Sequence, residues 1–100
     1  MASTPEHKVK TKLKKILDEM GIWHFSPYQA GMGRAGIPDI IGCLDGYFIA
    51  IECKAGKGTT TALQERELNR ILNAGGYALV VNEKNINQLQ EIAQWIKNKT

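Results

Sequence analysis

The sequence has no long hydrophobic run. Its longest apolar stretches, residues 47–51 and 77–81, fall far short of the ~20 residues a membrane-spanning helix needs, and its lysine-rich start has no apolar region behind it. Neither a membrane span nor a secretory leader is expected. Cysteine is also scarce. Cys43 and Cys53 stand alone, without a CxxC or Cys/His cluster, which gives no basis for a zinc site and fits a reduced, cytoplasmic compartment. Charge of one sign is nearly balanced: 13 Lys and Arg against 10 Asp and Glu leave +3, too little to name a partner by itself. No repeat, low-complexity tract or linker divides the chain. What remains is an ordinary globular composition, 43% hydrophobic and 23% charged over 100 residues, so we expect one domain over residues 1–100 with a single core.

Hydrophobic spacing orders the elements. A helix is expected over residues 5–20, with Thr4 as its cap, Pro5 at its first position, and Val9, Leu13, Ile16, Leu17 and Met20 on one face. Five lysines (Lys8, Lys10, Lys12, Lys14, Lys15) cover the rest of its surface. After Gly21, residues 22–26 read as a short strand, and residues 27–36 as a glycine-rich loop. Asp45-Gly46 is a strong hairpin turn and predicts strands 38–44 and 47–54. A helix over 61–73, a strand over 77–82 and an amphipathic helix carrying Ile86, Leu89, Ile92, Ala93 and Ile96 complete the order α-β-β-β-α-β-α. The crossover between strands 47–54 and 77–82 makes that pair parallel, so the fold class is α/β (α+β by some schemes) with a central mixed sheet flanked by helices.

A two-residue turn at Asp45-Gly46 makes cross-strand partners sum to 91, which sets Asp39 opposite Glu52 on one sheet face, with Cβ atoms about 4.5–5.5 Å apart. At about 5 Å and an effective dielectric of about 20, two carboxylates repel by roughly 3 kcal/mol. Something positive must sit there. Lys54, two residues beyond Glu52 on the same face, is one candidate; a hard divalent cation held by oxygen ligands is the other. Glu6 lies three residues before Val9 and seven before Leu13, on the inward face of its helix one turn ahead of the core. Gln64 stands in the same relation to Leu68 and Ile71. Taken alone, Glu6 complements its helix dipole or closes a capping box with Ser3, and Gln64 is a solvated first-turn residue. Together with Asp39, Glu52 and Lys54, they form a polar group at one edge of an apolar core.

Pro38-Asp39 followed, after a hairpin, by Glu52-Cys53-Lys54 resembles the bipartite signature of the PD-(D/E)XK nucleases, and the element order resembles their restriction-endonuclease-like core. Glu6, the segment Gly31-Met32-Gly33-Arg34-Ala35-Gly36-Ile37-Pro38-Asp39 and the stretch from Glu52 through Gly58 to Gln64 more narrowly resemble the stand-alone VRR-NUC, or virus-type replication-repair nuclease, domains. The resemblance implies Asp39, Glu52 and the Cys53 backbone carbonyl as ligands of Mg²⁺, for which Mn²⁺ substitutes, with Glu6 joining directly or through water. It further implies that Lys54 positions the attacking water and stabilises charge on the phosphate, and that Gln64 orients water or binds the DNA backbone. The implied function is a structure-selective DNA endonuclease, a homodimer that resolves four-way (Holliday) junctions in DNA repair, in a bacterial or phage-infected cell. A flap, single-strand or RNA nuclease of the same fold and a non-catalytic DNA-binding module are the alternatives.

Other signals are weaker. Gly31-x-Gly33-x-x-Gly36 matches a dinucleotide fingerprint in letters, but a strand follows it where a helix is required, so no nucleotide cofactor is expected. We read Gly33 and Arg34 as letting backbone amides and a guanidinium approach phosphates, with Lys57 beside them. His7 and His24 lack partners at ligand spacing and are assigned surface or packing roles. Both cysteines are expected to fill core, Cys43 on Asp39's face and Cys53 on the other. Trp23, Phe25 and Tyr28 could stack on bases, but strand aromatics are more often core, and these are expected there.

Overall fold

A computed structural model describes residues 4–27 and 34–99; Ser3, Tyr28, Gly31, Met32 and Gly33 lie outside the described residues. Helix α1 (Pro5–Glu19) begins at Thr4, whose hydroxyl accepts the His7 N–H at 3.1 Å, with Pro5 supplying the preset φ of the first turn. Strands β1 (Trp23–Phe25), β2 (Ile40–Leu44) and β3 (Tyr47–Cys53) follow, then α2 (Ala62–Asn73), β4 (Tyr77–Val81), a short 3-10 turn (Ile86–Gln88) and α3 (Leu89–Lys97). The expected order is the observed one.

The sheet runs β1-β2-β3-β4, antiparallel across the first two pairs and parallel between β3 and β4. Asp45 and Gly46 both take positive φ (52° and 88°), the twist a two-residue hairpin needs, and the ladder pairs Leu44 with Tyr47 and Ile40 with Ile51. The expected register therefore holds. β2 starts at Ile40 rather than at residue 38 for a local reason: Pro38 has no N–H to give, and the Asp39 side chain takes the next bond of the ladder itself, its Oδ2 accepting the Cys53 N–H at 2.8 Å.

Alternation puts Ile40, Leu44, Ile49, Ile51, Cys53 and Val81 on one face, where they pack with Val9, Leu13 and Leu17 of α1 and with Leu89, Ala93 and Ile96 of α3. Each large side chain buried there contributes about 1.5–3 kcal/mol. α2 lies over the other face, its Ile71 and Glu67 sharing a groove with Ile41 and Phe48. That face is only partly covered. Trp23 is 63% and Phe25 46% exposed, and Cys43 is exposed as well, so these three are not core residues as expected. By register they share the α2 side of the sheet with Ile41, but α2 packs against β4 and leaves the β1 edge bare. Cys53, on the α1 side, is buried as expected.

Candidate active site

The open end of the β2-β3 hairpin brings three carboxylates together. Glu6, Asp39 and Glu52 each place an oxygen within 4.8 Å of the other two. Glu6 is exposed in the first turn of α1, which Thr4 caps; Asp39 is half-buried and fixed by the Cys53 N–H; Glu52, in β3, is only 2% exposed. Among the described residues, Glu52 Oε2 has no hydrogen-bond partner. Burial first, and then the hydrogen bond and repulsion from Asp39, push its carboxyl up from 4.5 to about 8, with Lys54 opposing and Glu6 adding to the rise. Lys54 is half-buried and forms no salt bridge among the described residues, so its ammonium acts on Glu52 through space. Burial, followed by the charges of Asp39 and Glu52, likewise pushes the Cys53 thiol up to about 12, which makes it inert as a nucleophile.

The donor set suits a hard divalent ion. Carboxylate oxygens are its preferred ligands, and two direct ligands of one Mg²⁺ stand at most about 4.2 Å apart, close to the spread seen here. The orphaned Oε2 of Glu52 is the decisive feature. A buried carboxylate oxygen without a donor is costly, and either a proton or a cation must satisfy it.

The remaining residues singled out in the sequence are more dispersed. Gln64 closes a capping box on α2: its Oε1 accepts the Thr61 N–H at 2.9 Å, and its own N–H goes to the Thr61 hydroxyl at 3.2 Å. Its amide nitrogen has no partner among the described residues. Lys57 is exposed and likewise unpaired among them. Gly33 lies outside the described residues. His24 pairs with Asp18 at 2.7 Å and His7 is exposed, and neither belongs to a group of three metal-ligating side chains among the described residues. Arg34 is engaged by a residue that sequence reasoning missed, Glu67, which accepts from its Nε at 2.7 Å and from its Nη2 at 3.1 Å. Arg66 and Arg70 lie against the same carboxylate. The signal was available: Glu67 stands beside Leu68 and four residues before Ile71, which puts an acid on the edge of the stripe that faces the sheet.

The profile of the archaeal Holliday junction resolvase (Hjc) family matches residues 7–73, from the first turns of α1 to the end of α2. The chain belongs to that family. The match spans Asp39, Glu52 and Lys54, and Glu6 lies one residue before it. A solved structure described as a VRR_NUC domain shares the fold, with a TM-score of 0.72 at 23% identity over 89% of this chain and 97% of the other. No curated protein matches the chain. The Hjc family and the VRR_NUC fold both fall within the PD-(D/E)XK nuclease superfamily, and this Hjc-family chain is a nuclease of the resolvase kind.

Proposed function

We propose that this protein is a divalent-metal-dependent DNA endonuclease that cuts branched DNA, four-way junctions foremost, as a homodimer. The observation that carries the reading is the buried Glu52, orphaned at Oε2 among the described residues and sharing a 4.8 Å space with Asp39 and Glu6 within electrostatic reach of Lys54. Asp39, Glu52 and the Cys53 carbonyl would hold Mg²⁺ or Mn²⁺, with Glu6 joining directly or through water. Such an ion lowers the pKa of a bound water and neutralises charge on a phosphate. Asp39 is held in place by the Cys53 N–H, which it accepts at Oδ2. Lys54 offsets the charge that builds on the phosphate and can hold a proton at Nζ. Gln64, through an amide nitrogen that has no partner among the described residues, with Arg34, Lys57 and Gly33, would contact the strand on either side.

Branched DNA is supported by the name of the family, and a small protein can recognise DNA shape through contacts to backbone phosphates. A two-fold dimer would set two equivalent sites on a four-armed substrate, and the bare β1 edge with Trp23 and Phe25, rings 5.4 Å apart, offers an apolar surface for a second copy. The deciding assay incubates the protein with labelled four-way junctions, flaps, linear duplex, single strands and RNA, each with Mg²⁺, Mn²⁺ or chelator. Paired symmetric nicks in junctions, lost in chelator, are expected. Cleavage that persists in chelator refutes the metal assignment, and binding without cleavage under every condition leaves a non-catalytic DNA-binding module.

A further inference from the structure

One buried charge is not used by the carboxylate site. Glu67, on α2 one turn beyond Gln64, has a side chain only 5% exposed and three guanidiniums around it. Arg34 satisfies it alone, through forked bonds of 2.7 and 3.1 Å. Arg66 and Arg70 approach Glu67 Oε2 only to 3.6 and 3.5 Å, beyond good hydrogen-bond length, so their N–H donors are not spent on it. The three arginine side chains are 54%, 48% and 59% exposed. Three cations about one carboxylate repel one another unless a further anion completes the group. Glu67 is thus enough to hold the guanidiniums in a fan and too little to neutralise them.

The location gives the anion its identity. Arg34 comes from the segment leading into Asp39, whereas Arg66 and Arg70 come from α2. A groove of about 520 Å³ lined by Arg34, Glu67 and Arg70, with Arg66 beside it on α2, reaches Pro38, the residue before Asp39. A nucleic-acid strand entering the carboxylate site would carry its neighbouring phosphates past this groove, and a guanidinium's planar donors match phosphate oxygens. We infer that Arg66 and Arg70, joined by Arg34, form a second phosphate subsite for the DNA backbone, separate from the carboxylate centre, and that Glu67 is its positioning residue. This rests on the reading of the protein as a DNA nuclease.

The test compares the wild type, the Arg66→Gln/Arg70→Gln double variant and Glu67→Gln. Binding to a four-way junction is measured in chelator over a range of KCl, and cleavage of the same junction is measured in Mg²⁺. Each lost phosphate contact lowers the slope of log affinity against log salt by about 0.9, so the double variant should lose roughly 1 to 2 units of slope, with its cleavage defect in KM rather than kcat. Glu67→Gln adds net positive charge, yet it should weaken binding several-fold because the fan is no longer held. An unchanged slope in the double variant overturns the subsite, as does tighter binding by Glu67→Gln. Thermal melting separates folding from binding; if Glu67→Gln fails to fold, the double variant, altered only at half-exposed side chains, decides alone. A wild type that binds but cuts nothing sinks the nuclease reading while the slopes still judge the subsite; one that cuts, with unchanged slopes, sinks the subsite only.

Discussion

The carboxylate centre and the arginine cluster are charge inversions of each other, both beside the β2-β3 hairpin. In one, three acids share a small space, and a lysine acts on Glu52 with no salt bridge to it among the described residues. In the other, three arginines surround one acid that is fully bonded. The central group makes the difference. Glu52 is buried with an oxygen that has no partner among the described residues, whereas Glu67 is buried with both oxygens met by Arg34. The acidic region therefore holds an unmet demand at its centre, and the basic one holds unspent donors at its rim. A cation fits the first, and an anion that passes over the surface fits the second.

The sharpest way to break this contrast is to remove the unmet demand. Glu52→Gln keeps the shape, abolishes the repulsion with Asp39 and deletes a ligand. Cleavage should fall by at least about 10²–10³-fold, the scale of losing one charge-stabilising group in a transition state, while the metal-free protein should lose no stability. Lys54→Ala should cost cleavage on a similar scale and leave Mn²⁺ binding intact by calorimetry. A folded Glu52→Gln protein that cleaves normally would end the comparison at its first term.

Titration tests the same demand more gently. With its carboxyl raised from 4.5 to about 8, folded metal-free protein holds a proton on Glu52 that the unfolded chain gives up, so the stability this group contributes is complete below pH 4.5 and is lost as pH climbs through 8. The loss, read as the difference between wild type and Glu52→Gln in chelator, should be on the order of 3 kcal/mol between pH 5 and 9. Mg²⁺ should remove most of it, because a cation would take the proton's place. Denaturant midpoints across that range, with and without Mg²⁺, provide the measurement; parallel profiles for the two proteins would show that Glu52 is not the strained group.

A third change strikes both regions at once. Gly36 sits between Arg34 and Asp39 with φ +81°, and a Cβ there would stand 2.5 Å from the Leu63 carbonyl oxygen at the start of α2. Gly36→Ala must shift backbone, at a cost of about 2–3 kcal/mol, and should weaken junction binding and cleavage together. If cleavage falls while the salt slope of binding stays whole, the two regions are less tightly linked than this shared backbone implies.

The two regions were not equally legible in the sequence. A two-residue turn at Asp45-Gly46 determines every pairing behind it, so the opposition of Asp39 and Glu52 follows from counting, and the 3.6-residue period aims Glu6 inward. The same counting put Cys43 on Asp39's face but said nothing about what covers that face. Trp23, Phe25 and Cys43 read as core because their strands are apolar, yet coverage depends on where a twelve-residue helix settles, and α2 settled against β4. Glu67 was hidden for a related reason. Its main partner, Arg34, is 33 residues away, and only tertiary packing makes one the counter-charge of the other. Local rules thus anticipated the carboxylate cluster built on a hairpin and missed the arginine cluster built between a loop segment and a helix.

Gln64 is the hinge between the two regions and supports the mildest test. It lies one turn before Glu67 and spends its Oε1 on the Thr61 N–H, so its amide nitrogen is aimed by the cap rather than left to rotate. Thr61→Ala removes the hydroxyl half of this box without touching Gln64. Stability should drop by about 1 kcal/mol, the ordinary worth of an N-cap, and would be seen as a small fall in melting temperature. If Gln64 also serves the reaction, cleavage should drop a few-fold further than folding accounts for, at saturating DNA and with the salt slope of binding preserved, because the arginine fan sits a turn deeper in the helix. If instead cleavage tracks stability alone, Gln64 belongs to the helix and not to the active site, and the acidic centre works with Lys54 and without Gln64.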